Sequence, residues 1–70
     1  MMPEEWTGDL VKRMHMNGIS AKDLAESAGV TSAYVSMLLH GARSPKGAQD
    51  MLESAVDRIL EERARSANVS

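Results

Sequence analysis

The chain has no cysteine and only two aromatic residues, Trp6 and Tyr34. Without cysteine there is no disulfide framework and no thiolate to bind a metal, which fits a reducing compartment. No apolar run approaches the ~20 residues of a membrane span. The start, "MMPEEW", is acidic and lacks a basic stretch before an apolar one, so no secretory leader is expected. These absences together point to a cytoplasmic protein with no membrane partner. β-Branched residues are few, whereas Ala, Leu, Met, Glu, Lys and Arg dominate, which favours helix.

One further absence is local. The acids are Glu4, Glu5, Asp9, Asp23, Glu26, Asp50, Glu53, Asp57, Glu61 and Glu62, and none lies between Ser27 and Gln49. That window carries Arg43, Lys46 and His40. The chain is mildly acidic, with a formal net charge of −2, yet holds one weakly basic, acid-free stretch. With 70 residues, a single domain over 1–70 is expected. A chain this small buries only roughly 60% of the surface it exposes when unfolded. Its core is expected to supply no more than ~3–5 kcal/mol.

Apolar spacing predicts four helices. The first runs from about Pro3 to Asn17, with Trp6, Leu10 and Met14 as an inward stripe widened by Val11. Pro3 suits a first helical position, and Glu4, Glu5 and Asp9 suit the positive end of the helix dipole. Gly18 is the stop signal. The second helix starts at Ser20, which with Asp23 forms a capping-box pattern, and Ile19 is placed to staple onto Leu24. Leu24, Ala25 and Ala28 face inward, and Gly29 ends the helix. The third begins with Thr31 or Ser32 as cap and reaches about His40, with Val35 and Leu38 inward and Leu39 either inward or left over. Ser44-Pro45 then reads as a cap followed by proline at the first position of a long fourth helix, about Pro45 to Arg63. Its stripe is Ala48, Met51, Leu52, Ala55, Val56, Ile59 and Leu60. "RSANVS" (65–70) carries neither cap nor periodicity and is expected to fray. Residues 20–40 thus form two short helices with almost no loop between them.

The residues around that bend resemble the helix-turn-helix of the Cro and lambda-repressor type, the XRE-like family. Ala25 precedes Gly29 by four residues, Leu24 and Ala28 flank it, and Val30, Val35 and Leu38 follow. Ala25 must be small where the two helices cross, and Gly29 must accept a positive φ. Val35 and Leu38 lock the second helix onto the first. "GARSP", Gly41 to Pro45, matches the Gly-x-Arg-x-Pro that commonly follows the recognition helix in this family. The likeness covers roughly Ile19 to Pro45. Where the family often has Gln at the start of the second helix, this chain has Ala21, with Lys22 next.

The resemblance implies an all-α, four-helix, lambda-repressor-like domain that binds double-stranded DNA and regulates transcription. The third helix would enter the major groove. Base contacts would come from Ser32, Ala33, Ser36, Met37 and His40. Phosphate contacts would come from Ser20, Lys22, Tyr34, Arg43 and Lys46, helped by free N–H groups at the starts of the second and fourth helices. Ala33 and Met37 suit a thymine methyl. So short-armed a reading face favours a homodimer with half-sites about 34–36 Å apart. Leu39 or Val56 would supply the apolar pairing surface.

Other readings stand beside these. Met37 lies beside two core positions, and burial is its alternative. His40 either reads a base or caps the negative end of its helix. Trp6, Met14, Met51 and Leu52 are core residues, and His15 is solvated. "DRILEERAR" reads as a solvated face with i,i+4 pairing such as Glu61–Arg65. The weak basic character keeps a protein-interaction module on the same fold, an anti-repressor or adaptor, as the rival function. No enzyme is expected, because the chain has no nucleophile elbow, no HExxH and no phosphate-cradling loop. No cofactor or small-molecule substrate is expected. A metal is not expected either, since His15 and His40 lie on different helices.

Overall fold

The computed structural model describes residues 5–41 and 45–69. The protein is all-α, with four helices and no strand among the described residues: α1 Glu5–Met16, α2 Ala21–Ala28, α3 Ser32–His40 and α4 Ala48–Val69. Pro3, Glu4, Arg43 and Ser44, used in the sequence reading, lie outside the described residues.

Glycine closes the first two helices in the same way. Gly18 takes φ 63°, the Gly18 amide donates to the His15 carbonyl, and the Ile19 amide donates to the Met14 carbonyl. This is a Schellman closure, and Ile19 and Met14, the residues it brings together, are both buried. At the end of α2, Gly29 takes φ 76°. Its amide and that of Val30 both donate to the Ala25 carbonyl, at 2.9 and 3.0 Å. Only three residues, Gly29 to Thr31, separate α2 from α3. Both following caps are as expected. Ser20 and Asp23 form a complete capping box, and the Thr31 hydroxyl accepts the Tyr34 amide at 3.1 Å.

The core gathers side chains from every helix. Leu24, Val35, Leu38, Leu52 and Val56 are fully buried, joined by Leu10, Met14, Ile19, Ala25, Leu39, Ala48 and Ala55. Burying each of the large aliphatic side chains contributes about 1.5–3 kcal/mol. α2 packs against both α3 and α4, and α1 also touches both. The small Ala25, 3% exposed, is part of that core.

Four features depart from the sequence reading. Val11 does not widen the α1 stripe: it is 39% exposed, and Thr7 is buried instead, three residues before Leu10. Helix α4 does not start at Pro45. Gly47 takes φ 85°, which the third position of a type II turn requires, and the Ala48 amide donates to the Pro45 carbonyl. The left-handed glycine breaks the helical path, so the first α-helical bond runs from the Met51 amide to Gly47. At its other end α4 continues past Arg63 to Val69. Finally, Leu39 and Val56 are no pairing surface, because both are in the core, at 6% and 0% exposure.

Beyond the packing of Ile59 and Leu60, polar ties link α4 to the other helices. Residues 61–67 are all exposed. Arg63 reaches back to donate to the Asn17 carbonyl at 2.5 Å and, more weakly, to the Gly18 carbonyl at 3.5 Å. Arg58 donates to the Ser27 carbonyl at 2.9 Å. Arg13 of α1 pairs with Asp57 at 2.6 Å. Glu61 and Arg65 stand 3.9 Å apart, as i,i+4 spacing predicts.

Candidate nucleic-acid interface

Helix α3 is divided sharply between two faces. Val35, Leu38 and Leu39 are buried, and Tyr34 is half-buried against the same core. Thr31, Ser32, Ala33, Ser36, Met37 and His40 are all exposed. Helical spacing sets the outward side chains in two adjacent rows: Ser32, Ser36 and His40 at i, i+4, i+8, and Ala33 and Met37 at i, i+4. One row offers hydroxyls and an imidazole; the other offers methyl and thioether surface. Met37, at 56% exposure, belongs to this surface and not to the core.

The expected phosphate contacts fall into different situations. Lys22 in the first turn of α2 and Lys46 in the turn before α4 are exposed. Lys46 does not sit at a helix start, because α4 begins only at Ala48. Tyr34 offers no more than part of its ring, since it packs against the core. Ser20 is engaged in its own cap: its hydroxyl accepts the Asp23 amide at 3.1 Å, and its amide donates to the Asp23 carboxylate at 3.0 Å. That carboxylate brings negative charge to the end of α2 where a phosphate was expected. The Ser20 amide, then the Ser20 side chain, holds the Asp23 carboxyl below the ordinary value against slight desolvation, and Arg63 and Lys22 add to the effect. Arg43 lies outside the described residues. Leu24, Ala25, Gly29, Val35 and Leu38, the residues expected to build the bend, occupy the expected places: four are buried and Gly29 is left-handed.

Two residues were not foreseen as part of this arrangement. Arg58 and Arg63 read as members of a solvated run, yet each bonds a carbonyl more than thirty residues away. Their i,i+5 spacing carries no signal for that role. Both line an open cleft of about 430 Å³ between α2 and α4, together with Asp23, Glu26, Ser27, Ile59 and Glu62. Among the described residues, no group of three or more His, Cys, Asp or Glu side chains is placed to hold a metal ion. No described helix is long and apolar enough to cross a membrane.

No protein-family model matches the chain, and neither a curated protein nor a solved structure proved significantly similar to it.

Proposed function

We propose that this chain is a sequence-specific DNA-binding transcriptional regulator of phage-repressor type, working in the cytoplasm as an XRE-like helix-turn-helix domain. The observation that carries this reading is the division of α3. Its whole outer face is exposed while Val35, Leu38 and Leu39 anchor it from behind.

In this reading α3 lies in the major groove and α2 crosses the backbone. The row from Ser32 to His40 extends about 12 Å along the helix, the rise of three to four base pairs. Ser36 and His40 hydrogen-bond base edges, and Ala33 and Met37 meet thymine methyls. Lys22, Arg43 and Lys46 set the register on phosphates, with Tyr34 at the edge. Ser20 acts through its cap, by fixing the start of α2. A homodimer would supply the second half-site, through a surface other than Leu39 or Val56. The chain is then a binding module and not a catalyst.

A second reading has a specific observation behind it. α3 carries no Lys or Arg, and its most prominent outward side chain is the apolar Met37. Such a surface also suits a protein partner, which makes an anti-repressor or adaptor the alternative.

Titration of fluorescent random duplex DNA at two salt concentrations separates the two. Each phosphate contact contributes about −0.9 to the slope of log K against log salt. Arg43→Ala and Lys46→Ala are each expected to weaken binding to all sequences and flatten the slope by about that amount. Ser36→Ala is expected to change the preferred sequence and leave the slope alone. Lys12→Ala, on the exposed side of α1, is the control. No salt-dependent binding by the wild type, or identical behaviour of the Arg43, Lys46 and Lys12 variants, sinks the DNA reading in favour of the protein partner.

A further inference from the structure

Helix α2 has only eight residues, too few to hold its own shape or orientation without outside support. Its inner face, Leu24 and Ala25, is in the core. Its two ends are held differently. Just before its start, Arg63 donates to the carbonyls of Asn17 and Gly18. In its last turn, Arg58 donates to the carbonyl of Ser27, while the Ser27 hydroxyl donates to the Ala55 carbonyl at 3.4 Å. The Asn17, Gly18 and Ser27 carbonyls lie at helix C-termini, where intrahelical partners run out and the dipole is negative, so a guanidinium both satisfies and neutralises them. Both arginines project from α4 across the open cleft between α2 and α4. Arg63 does so from a stretch with no buried residue, 61–67.

We propose that Arg58 and Arg63 are positioning residues that bracket α2 from α4 and so set the angle at which Lys22 and the outer face of α3 are offered to a partner. The distal part of α4 is then a brace: its contribution is a guanidinium delivered to the α1–α2 corner, 46 residues back in sequence. The bracket itself stands on the hydrogen bonds above. Only its effect on DNA rests on the function proposed in the preceding subsection.

The test uses the full chain with Arg63→Gln, Arg58→Gln and Arg63→Lys. Arg65→Gln is the control: it removes the same charge one turn-half further on, from a side chain whose partner is Glu61 of its own helix. Amide hydrogen exchange is read residue by residue. With Arg63→Gln, the amides of Ile19, Ser20 and Asp23 are expected to exchange ~10-fold faster while those of Leu52 to Val56 change less than ~2-fold. Arg63→Lys should restore part of the protection, and Arg65→Gln should leave all sites within ~2-fold of wild type. With Arg58→Gln, the faster exchange should move to Gly29 and Val30. On random duplex DNA, Arg63→Gln should weaken binding about 5-fold without the ~0.9 change in salt slope that a lost phosphate contact produces. Faster exchange spread evenly over the molecule would mean a merely stabilising role and overturn the bracket. Equal exchange in Arg63→Gln and Arg65→Gln would overturn it too. A slope that falls by ~0.9 would make Arg63 a direct DNA contact instead. If the wild type binds no DNA, the DNA reading fails while the exchange results still decide the bracket.

Discussion

The outer face of α3 and the last turns of α4 are both exposed helical surface, but they are exposed for opposite reasons. Behind the face of α3 stand Val35, Leu38 and Leu39, all in the core. Residues 61–67 include no buried side chain, and the guanidinium of Arg63 ties this stretch to the Asn17 carbonyl. The α3 face carries no acid and no Lys or Arg, whereas the end of α4 mixes both signs. A surface that is exposed on one side and anchored on the other is held still and can be read by a partner. A stretch with no buried side chain can still reach back through one long arginine and brace. Accessibility alone does not separate the two; what lies beneath does.

The comparison can be broken most severely from beneath α3. Leu38→Ala removes a fully buried side chain that anchors the presented face and is expected to cost about 2–5 kcal/mol. In a domain this small that is most of the stability, and a urea titration followed by circular dichroism should find the variant largely unfolded at room temperature. A wild-type midpoint would mean that α3 is not anchored as described. Ala25→Leu acts one step further back, by overpacking the place where α2 meets its neighbours. It should destabilise by about 1–3 kcal/mol, seen as a lower melting temperature. An unchanged melting temperature would argue against the close approach at Ala25.

A gentler change concerns the cap that starts α2. The Asp23 carboxyl titrates below its unfolded value, so its contribution is complete above about pH 3.9, the ordinary carboxylate value, and disappears as pH falls from there through the lower folded value. Comparing melting temperatures between pH 6 and pH 3, Asp23→Asn should start lower than wild type and lose less on acidification. Parallel curves for the two proteins would remove the cap as a source of pH dependence. The smallest effect is expected at the end of α4. Glu61→Gln breaks an exposed i,i+4 pair and should change stability by less than about 0.5 kcal/mol. A larger loss by chemical denaturation would show that the distal helix carries more than a brace.

Much of this was legible in the sequence where the signal is local. Gly18 and Gly29 declared their left-handed closures, Ser20 and Asp23 their capping box, and the Ala48-to-Leu60 stripe its buried or half-buried face. Local chemistry misled at Pro45. A proline after serine is a good helix start, but Gly47 two residues later diverts the chain first. Thr7 is buried in place of the expected Val11 because the inward direction of α1 depends on where α3 and α4 press against it, not on polarity alone. The candidate contacts on α3 were read correctly as outward-facing, since a nine-residue helix with three buried residues leaves few choices. Ser20 was legible as a cap; its carboxylate partner, which makes that helix end less inviting to phosphate, follows from the same motif.

By itself the sequence determined the helices, their glycine stops and the acid-free window, because each depends on residues within one or two turns of one another. It also determined that α3 turns one apolar face inward and carries no acid, Lys or Arg on the other. The tertiary structure alone decided that neither Leu39 nor Val56 is left over as a pairing surface. It alone brought Arg13 to Asp57, Arg58 to Ser27 and Arg63 to Asn17. Those pairings join residues 31 to 46 positions apart. A long flexible arginine gives no hint, in its own neighbourhood, of which distant carbonyl it will find. The partner comes within reach only when packing has brought the helices together, and the physical reason is geometric: local bonds are chosen by sequence spacing, distant ones by packing.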